Sequence, residues 1–127
     1  SIVEFGANRG LNIQALKILF PESKFSAVEI NADAVLELKK LPDVDVFHGS
    51  IFDYGVKSQA DLVLIKGVLI HINPDHLGDV YKKLYESSKK YILIAEYYNP
   101  SPVAISYRGH SDKLFKRDFA GEILDLY

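Results

Sequence analysis

The residues best suited to chemistry in this chain sit at the ends of its short apolar runs. Glu4 stands inside the run Ile2, Val3, Glu4, Phe5, and Gly6 and Gly10 follow in "EFGANRG". A carboxylate inside an apolar run is costly unless something hydrogen-bonds or neutralises it. A glycine-bearing turn between a strand and a helix lets a ligand approach the backbone. A turn built for a pyrophosphate needs glycines in the pattern GxGxxG. Counting from Gly6, Asn8 holds the second place and Leu11 the third, so the turn is tight but not shaped for pyrophosphate. This spacing predicts a nucleoside ligand without one. Glu29 ends the second apolar run, where an acid can accept hydrogen bonds from both ribose hydroxyls; the plainer reading is a solvated acid at a strand end. Gly49, Ser50 and Ile51 end the third run. An adenine ring could lie on Ile51 there and use Ser50 for polar contact, while Asp53 either assists or caps a turn.

Bringing these residues to one rim requires a parallel sheet, because ligands in open α/β sheets bind beyond the carboxyl ends of the strands. The chain alternates short apolar runs with helix-period runs, which predicts an α/β domain with a mostly parallel sheet. The first strand is Ile2 to Phe5. A helix follows with Leu11, Ala15, Leu16, Leu19 and Phe20 on one face, ended by Pro21. "FSAVEI" is the second strand. Asn31 caps the next helix, Asp33 lies in its first turn, and Val35, Leu38 and Leu41 face inward up to Pro42. "VDVF" is a third strand and "DLVLIKGVLI" a fourth, apolar on both faces as a central strand should be. "NPDHLGDVYKKLYESS" reads as a helix capped by Asn73 with Pro74 at its first position, and its stripe is Leu77, Val80, Tyr81, Leu84, Tyr85 and Ser88. "KYILIAE" is the fifth strand. Tyr97 to Lys116 reads as a long polar loop, and Asp118 caps a last helix with Phe119, Ile123 and Leu126. The glycine and polar residues of "EFGANRG", "VEIN", "HGSIFD", "IKGVLIHI" and "AEYYNP" then gather on one rim.

The chain of 127 residues is read as one domain, residues 1–127. Its net charge of -2, from 15 basic and 17 acidic side chains, argues against a general nucleic-acid or membrane-surface binder. It has no cysteine, which excludes disulfides, thiolate catalysis and cysteine–zinc sites. No spacing suggests a metal site. No apolar run approaches the ~18 residues of a membrane span, and the expected location is cytoplasmic. With no methionine, a start inside a strand and an end at "GEILDLY", the sequence reads as a fragment lacking residues at one or both ends.

"VEFGANRG", "VEIN", "HGSIFD" and "DLVLIKGVLIHI" resemble the successive motifs of class I S-adenosylmethionine-dependent methyltransferases. More closely, "GVLIHINPDHL", "YILIAEYYNPSPVAISYRGH" and "DKLFKRDFAGEIL" resemble the methyltransferase family associated with pseudaminic acid biosynthesis. The resemblance spans nearly the whole chain. It implies a Rossmann-like, doubly wound, mostly parallel sheet of seven strands, of which the first five are present and the C-terminal pair is not. It implies S-adenosyl-L-methionine as cofactor and a small-molecule acceptor, with a nonulosonic acid sugar or its nucleotide-linked precursor suggested by the family name. Under that resemblance Glu4 sits near the methionine end, where it orders the loop or reaches the amino group. Gly6 and Ala7 let the backbone approach, Asn8 and Gly10 shape the turn, and Glu29 with Ile30 takes the ribose. Gly49, Ser50 and Ile51 flank the adenine. Lys66 and Gly67 line the methionine and sulfonium region. The Lys66 ammonium is expected to turn toward the cofactor's carboxylate, Glu96 or an acidic acceptor.

His71 has two readings: a buried histidine that holds a helix start, or a base or acceptor-orienting group. His110 is the other base candidate, whereas His48 is expected in strand packing and His76 in the first turn of an exposed helix. Tyr97, Tyr98, Asn99, Tyr107, Arg108 and His110 can surround a polar acceptor, and Arg108, Lys116 and Arg117 suit a carboxylate or phosphate. The plainer reading of that stretch is a solvated basic loop. Two rival functions share these residues. A nicotinamide-dependent oxidoreductase would use Glu29 in the same way, but the glycine pattern counts against it. A non-catalytic module would keep the cofactor pocket and serve as a sensor or partner.

Overall fold

The computed structural model describes residues 1–106 and 113–127. Five strands, β1 (Ile2–Phe5), β2 (Phe25–Glu29), β3 (Val44–His48), β4 (Ala60–Lys66) and β5 (Ser88–Ala95), form one parallel sheet in the order β3-β2-β1-β4-β5. The order reverses at β1, so the switch point of the sheet lies between β1 and β4, where the rule for open sheets places a ligand. Helices α1 (Leu11–Leu19) and α2 (Ala32–Leu38) cover one face, and α3 (Leu77–Ser87) and α4 (Phe119–Leu126) the other.

The pleat of β1 divides the core. Val3 and Phe5 pack with Val63 and Ile65 of β4 against Leu77, Val80, Tyr81 and Leu84 of α3 and Phe119 and Ile123 of α4. Ile2 points the other way, with Phe25 and Ala27 of β2, against Ile13 of α1 and Leu38 of α2. Alternation along the strand puts Glu4 on this second face, opposite Ala27 and Leu64 in the ladder. The acid in the apolar run is therefore buried under α1.

Local signals set most of the helix starts. Asn31 Oδ1 accepts from Ala34 N–H at 3.0 Å, and Asp118 Oδ1 accepts from Gly121 N–H at 2.9 Å. Asn73 Oδ1 accepts from Asp75 N–H at 3.0 Å. That cap opens a short 3₁₀ turn, Pro74–His76, before α3 begins at Leu77.

Several expectations are corrected. The buried residue of α1 is Ile13, with Leu16 partly buried, while Leu11, Leu19 and Phe20 are exposed. This helix carries apolar residues on more than one side, and its packing against Ala7 and Leu38 decides which side turns inward. The run "DLVLIKGVLI" is not one strand. Gly67, at φ 65°, ends β4 and turns the chain into a 3₁₀ turn at Leu69–His71. Ser88 opens β5 rather than closing the α3 stripe; Ser87 is the buried residue there, and Tyr85 is exposed. His48 is exposed at the end of β3, and Leu126 is exposed on α4. The stretch read as a polar loop contains two antiparallel strands, β6 (Val103–Ser106) and β7 (Lys113–Lys116), paired Val103 to Lys116 through Ser106 to Lys113. Leu114 of β7 is buried in the core, which fastens the pair to the domain. No helix among the described residues is long and apolar enough to cross a membrane.

Candidate functional site

The loop after β1 is held down onto β2. Gly6 and Ala7 both donate to the Val28 carbonyl, at 2.9 and 3.2 Å, and Gly10 N–H donates to Ala7 C=O at 2.9 Å. Gly6, Asn8 and Gly10 have φ values of 73°, 49° and 81°. Gly6 is also required by proximity: a Cβ there would overlap Cγ2 of Val68, which follows β4. The loop and the β4 end thus close on each other across the switch point.

Glu29 knits the second strand to both neighbouring turns. Its Oε2 accepts from Asn8 N–H at 2.7 Å and its Oε1 from Asn31 N–H at 2.8 Å. The carboxylate is fixed by the loop after β1 and by the start of α2, and each oxygen retains acceptor capacity for a ligand hydroxyl. The residue is 8% exposed. That rules out the freely solvated strand-end acid of the plainer reading.

Beneath the loop, Glu4 is 1% exposed. Asn12 Nδ2 donates to its Oε1 at 2.6 Å, and its Oε2 has no hydrogen-bond partner among the described residues. Burial pushes the Glu4 carboxyl up to about 7, against the opposing pull of the Asn12 hydrogen bond and the Lys66 charge. Sequence reasoning missed Asn12. It stands in the first turn of α1, and only the packing of α1 on β1 brings it to Glu4.

A cavity of about 770 Å³ opens at this rim. Of the residues singled out in the sequence, Gly6, Ala7, Asn8, Glu29, Ile30, Lys66, Gly67 and His71 line it. Arg9, Asn12, Val68 and Ile72 line it as well and had not been named. Glu4, Gly10, Gly49, Ser50 and Ile51 do not. Gly10 closes the loop behind the wall. Gly49 donates its N–H to Glu29 C=O at 2.9 Å, and Ser50 Oγ accepts from Phe52 N–H at 3.2 Å. The Ile51 side chain is buried in the core cluster of Phe5 and Val63.

The surroundings of Lys66 narrow its options. Glu96 is committed elsewhere: its Oε1 accepts from the N–H groups of Val68 and Leu69 at 2.9 and 3.0 Å. Burial raises the Glu96 carboxyl, and the backbone N–H groups oppose that rise. His71 lines the cavity with its side chain exposed, so it is not the buried histidine of the plainer reading. Arg108, His110 and Tyr107 lie outside the described residues. Tyr97 and Tyr98 are exposed, and the Lys116 ammonium stands 5.4 Å from the Tyr97 ring centroid. Arg117 is spent within the fold, its Nε donating to Glu122 Oε1 at 2.6 Å while Tyr81 Oη donates to Glu122 Oε2 at 2.5 Å. Glu122, outwardly a plain residue of the last helix, ties α4 to α3.

No protein-family model matches the chain, and no curated protein matches it. Solved structures do. A DhpI complex with SAH superposes with a TM-score of 0.74 at 18% identity, over 98% of this chain and 64% of that one. DesVI of Streptomyces venezuelae gives 0.68 at 14% identity, over 85% and 50%. The plantazolicin methyltransferase BpumL, in complex with a pentazolic desmethylPZN analog and SAH, gives 0.63 at 13% identity, over 76% and 38%. The chain thus spans less than two thirds of the length of each of these three proteins. The likeness establishes the fold: the parallel sheet with its flanking helices is the Rossmann-like fold of methyltransferases.

Proposed function

We propose that this chain is the cofactor-binding domain of an S-adenosylmethionine-dependent methyltransferase. The observation that carries the reading is the Glu29 carboxylate, fixed under the Gly6–Asn8 loop on the wall of a cavity at the sheet's switch point. The residues fit the cofactor by chemistry. Glu29 offers acceptors to a ribose diol. The loop offers close backbone without the glycines that a pyrophosphate needs. Glu4 lies beneath the loop and is proposed to act at the methionine end by fixing Asn12, which lines the cavity. Gly49 and Ser50 are proposed for the adenine end, kept beside the ribose acid by the Gly49–Glu29 backbone bond, with the Ile51 side chain packed into the core behind them. Solved structures that share the fold include complexes with SAH, which supports the same cofactor here.

When bound, the cofactor supplies an electrophilic methyl group on a sulfonium. The chain's own part is to bind, align and exclude water. Lys66 and Gly67 border the methionine end. With Glu96 held by backbone N–H groups, the Lys66 ammonium remains for an anionic group of the cofactor or the acceptor. Arg9, Lys66 and His71 line the cavity together with the acids Glu29 and Asp33, and these cations suit a small polar acceptor that carries an acidic group. His71 is the described candidate for orienting it or taking its proton. Arg108 and His110 are proposed for the same task from outside the described residues. A nonulosonic acid sugar or its nucleotide-linked precursor satisfies this chemistry, and the resemblance of "GVLIHINPDHL" and the two later motifs supports it.

Calorimetry with S-adenosylmethionine, S-adenosylhomocysteine and NAD tests the reading. The expected result is binding of the first two and none of NAD. Tighter binding of NAD would replace the methyl-transfer assignment with the oxidoreductase one.

A further inference from the structure

Glu96 lies just past β5 and does not line the cavity, yet its carboxylate holds the cavity wall. Oε1 accepts from Val68 and Leu69 N–H at 2.9 and 3.0 Å, and Oε2 faces Ile70 N–H at 3.5 Å. These N–H groups open a helical turn and have no acceptor within it. Leu69 and Ile70 are 0% and 4% exposed, so water does not replace the carboxylate there. One residue earlier, Ala95 C=O accepts from Gly67 N–H at 3.1 Å. Two consecutive residues at the end of β5 therefore hold the sharp turn out of β4.

That turn is part of the site. Lys66, Gly67, Val68, His71 and Ile72 all line the cavity. His71 N–H closes the turn on Val68 C=O at 2.9 Å. Val68 fills the space over Gly6, so its position sets the gap between the two loops. We propose that Glu96 is a positioning residue: by fixing Val68, Leu69 and Ile70 it sets the wall from Lys66 to Ile72. Cofactor affinity then depends on a side chain that does not itself reach the cofactor. The inference rests on the reading of this cavity as a cofactor site. The competing view is that Glu96 merely stabilises the β4–β5 edge.

The test uses the whole chain and three variants, with S-adenosylhomocysteine as probe. Glu96→Ala removes both acceptors. Glu96→Gln keeps an amide oxygen for Val68 and Leu69. Tyr81→Phe breaks the contact with Glu122 on α4, away from the cavity, and serves as a destabilised control. Backbone hydrogen exchange reads the wall directly. The expected result is that Glu96→Ala accelerates exchange at 68–72 beyond the rest of the sheet and weakens S-adenosylhomocysteine on the order of 10- to 100-fold, as befits buried donors left unpaired. Glu96→Gln should restore most of both, and Tyr81→Phe should lower Tm without changing affinity. Affinity within twofold of the parent in Glu96→Ala overturns the inference, as does an equal loss in Tyr81→Phe. If Glu96→Ala does not fold, Glu96→Gln is compared with Glu96→Asp, whose side chain is one methylene too short; equal affinity in the two overturns the inference. If the parent chain itself does not bind S-adenosylhomocysteine, the cofactor reading falls. The exchange arm then decides alone: acceleration confined to 68–72 supports the positioning role, and unchanged exchange refutes it.

Discussion

Replacing Glu4 by glutamine should flatten the dependence of folding stability on pH. Glu4 is 1% exposed, and burial lifts its carboxyl from an ordinary 4.5 to about 7. Between those values the folded chain holds a proton that the unfolded chain has released. Stability from this group is therefore complete below pH 4.5 and is lost as pH rises to about 7. At ~1.4 kcal/mol per pH unit, the interval corresponds to roughly 3 kcal/mol. That is a large share of the ~5–15 kcal/mol by which domains are usually stable. Glu4→Gln is neutral at every pH and retains an oxygen for Asn12 Nδ2, which now donates at 2.6 Å. Urea unfolding of both proteins from pH 4.5 to 8 measures the effect. The two should be nearly equal in stability at the acid end, and the variant should be the more stable at pH 8. Glu96 is raised as well, so the parent's slope contains both acids, and the difference between the two proteins isolates Glu4. Parallel curves for parent and variant would refute the account of Glu4 as a carboxyl raised by burial.

Gly6→Ala places a methyl group on Val68 Cγ2 at a φ of 73°; a stability loss above about 1 kcal/mol by chemical denaturation is expected, and an unchanged midpoint would show that the two loops are not in contact. Glu29→Ala should weaken S-adenosylhomocysteine by at least about tenfold in calorimetry, because it removes the acceptors fixed by Asn8 and Asn31. Glu122→Ala should do the reverse, lowering Tm through the lost Tyr81 and Arg117 contacts while leaving that affinity intact. If the two variants bind alike, Glu29 has no part in the ligand site.

The sequence by itself determined what depends on near neighbours. The five strands are legible as apolar runs, and Asn31, Asn73 and Asp118 declare their turns because a cap bonds its own backbone two or three residues on. The glycine turn with the acid Glu29 at the next strand end is legible too, because both follow from one strand–helix–strand unit. What only the tertiary structure decided is set by register and packing between distant segments. Periodicity could not choose the inward side of α1, since the choice of Ile13 over Leu11 and Leu19 comes from Ala7 and Leu38. Nor could it show that Glu4 bonds Asn12, that Arg117 is consumed by Glu122, or that β6 and β7 pair within a stretch rich in polar residues. Glu96 is the sharpest case. In the chain it is a strand-end acid that suits the Lys66 ammonium. In the fold, the parallel register of β4 and β5 sets its carboxylate at the unpaired N–H groups of Val68 and Leu69, which satisfy it in place of the lysine.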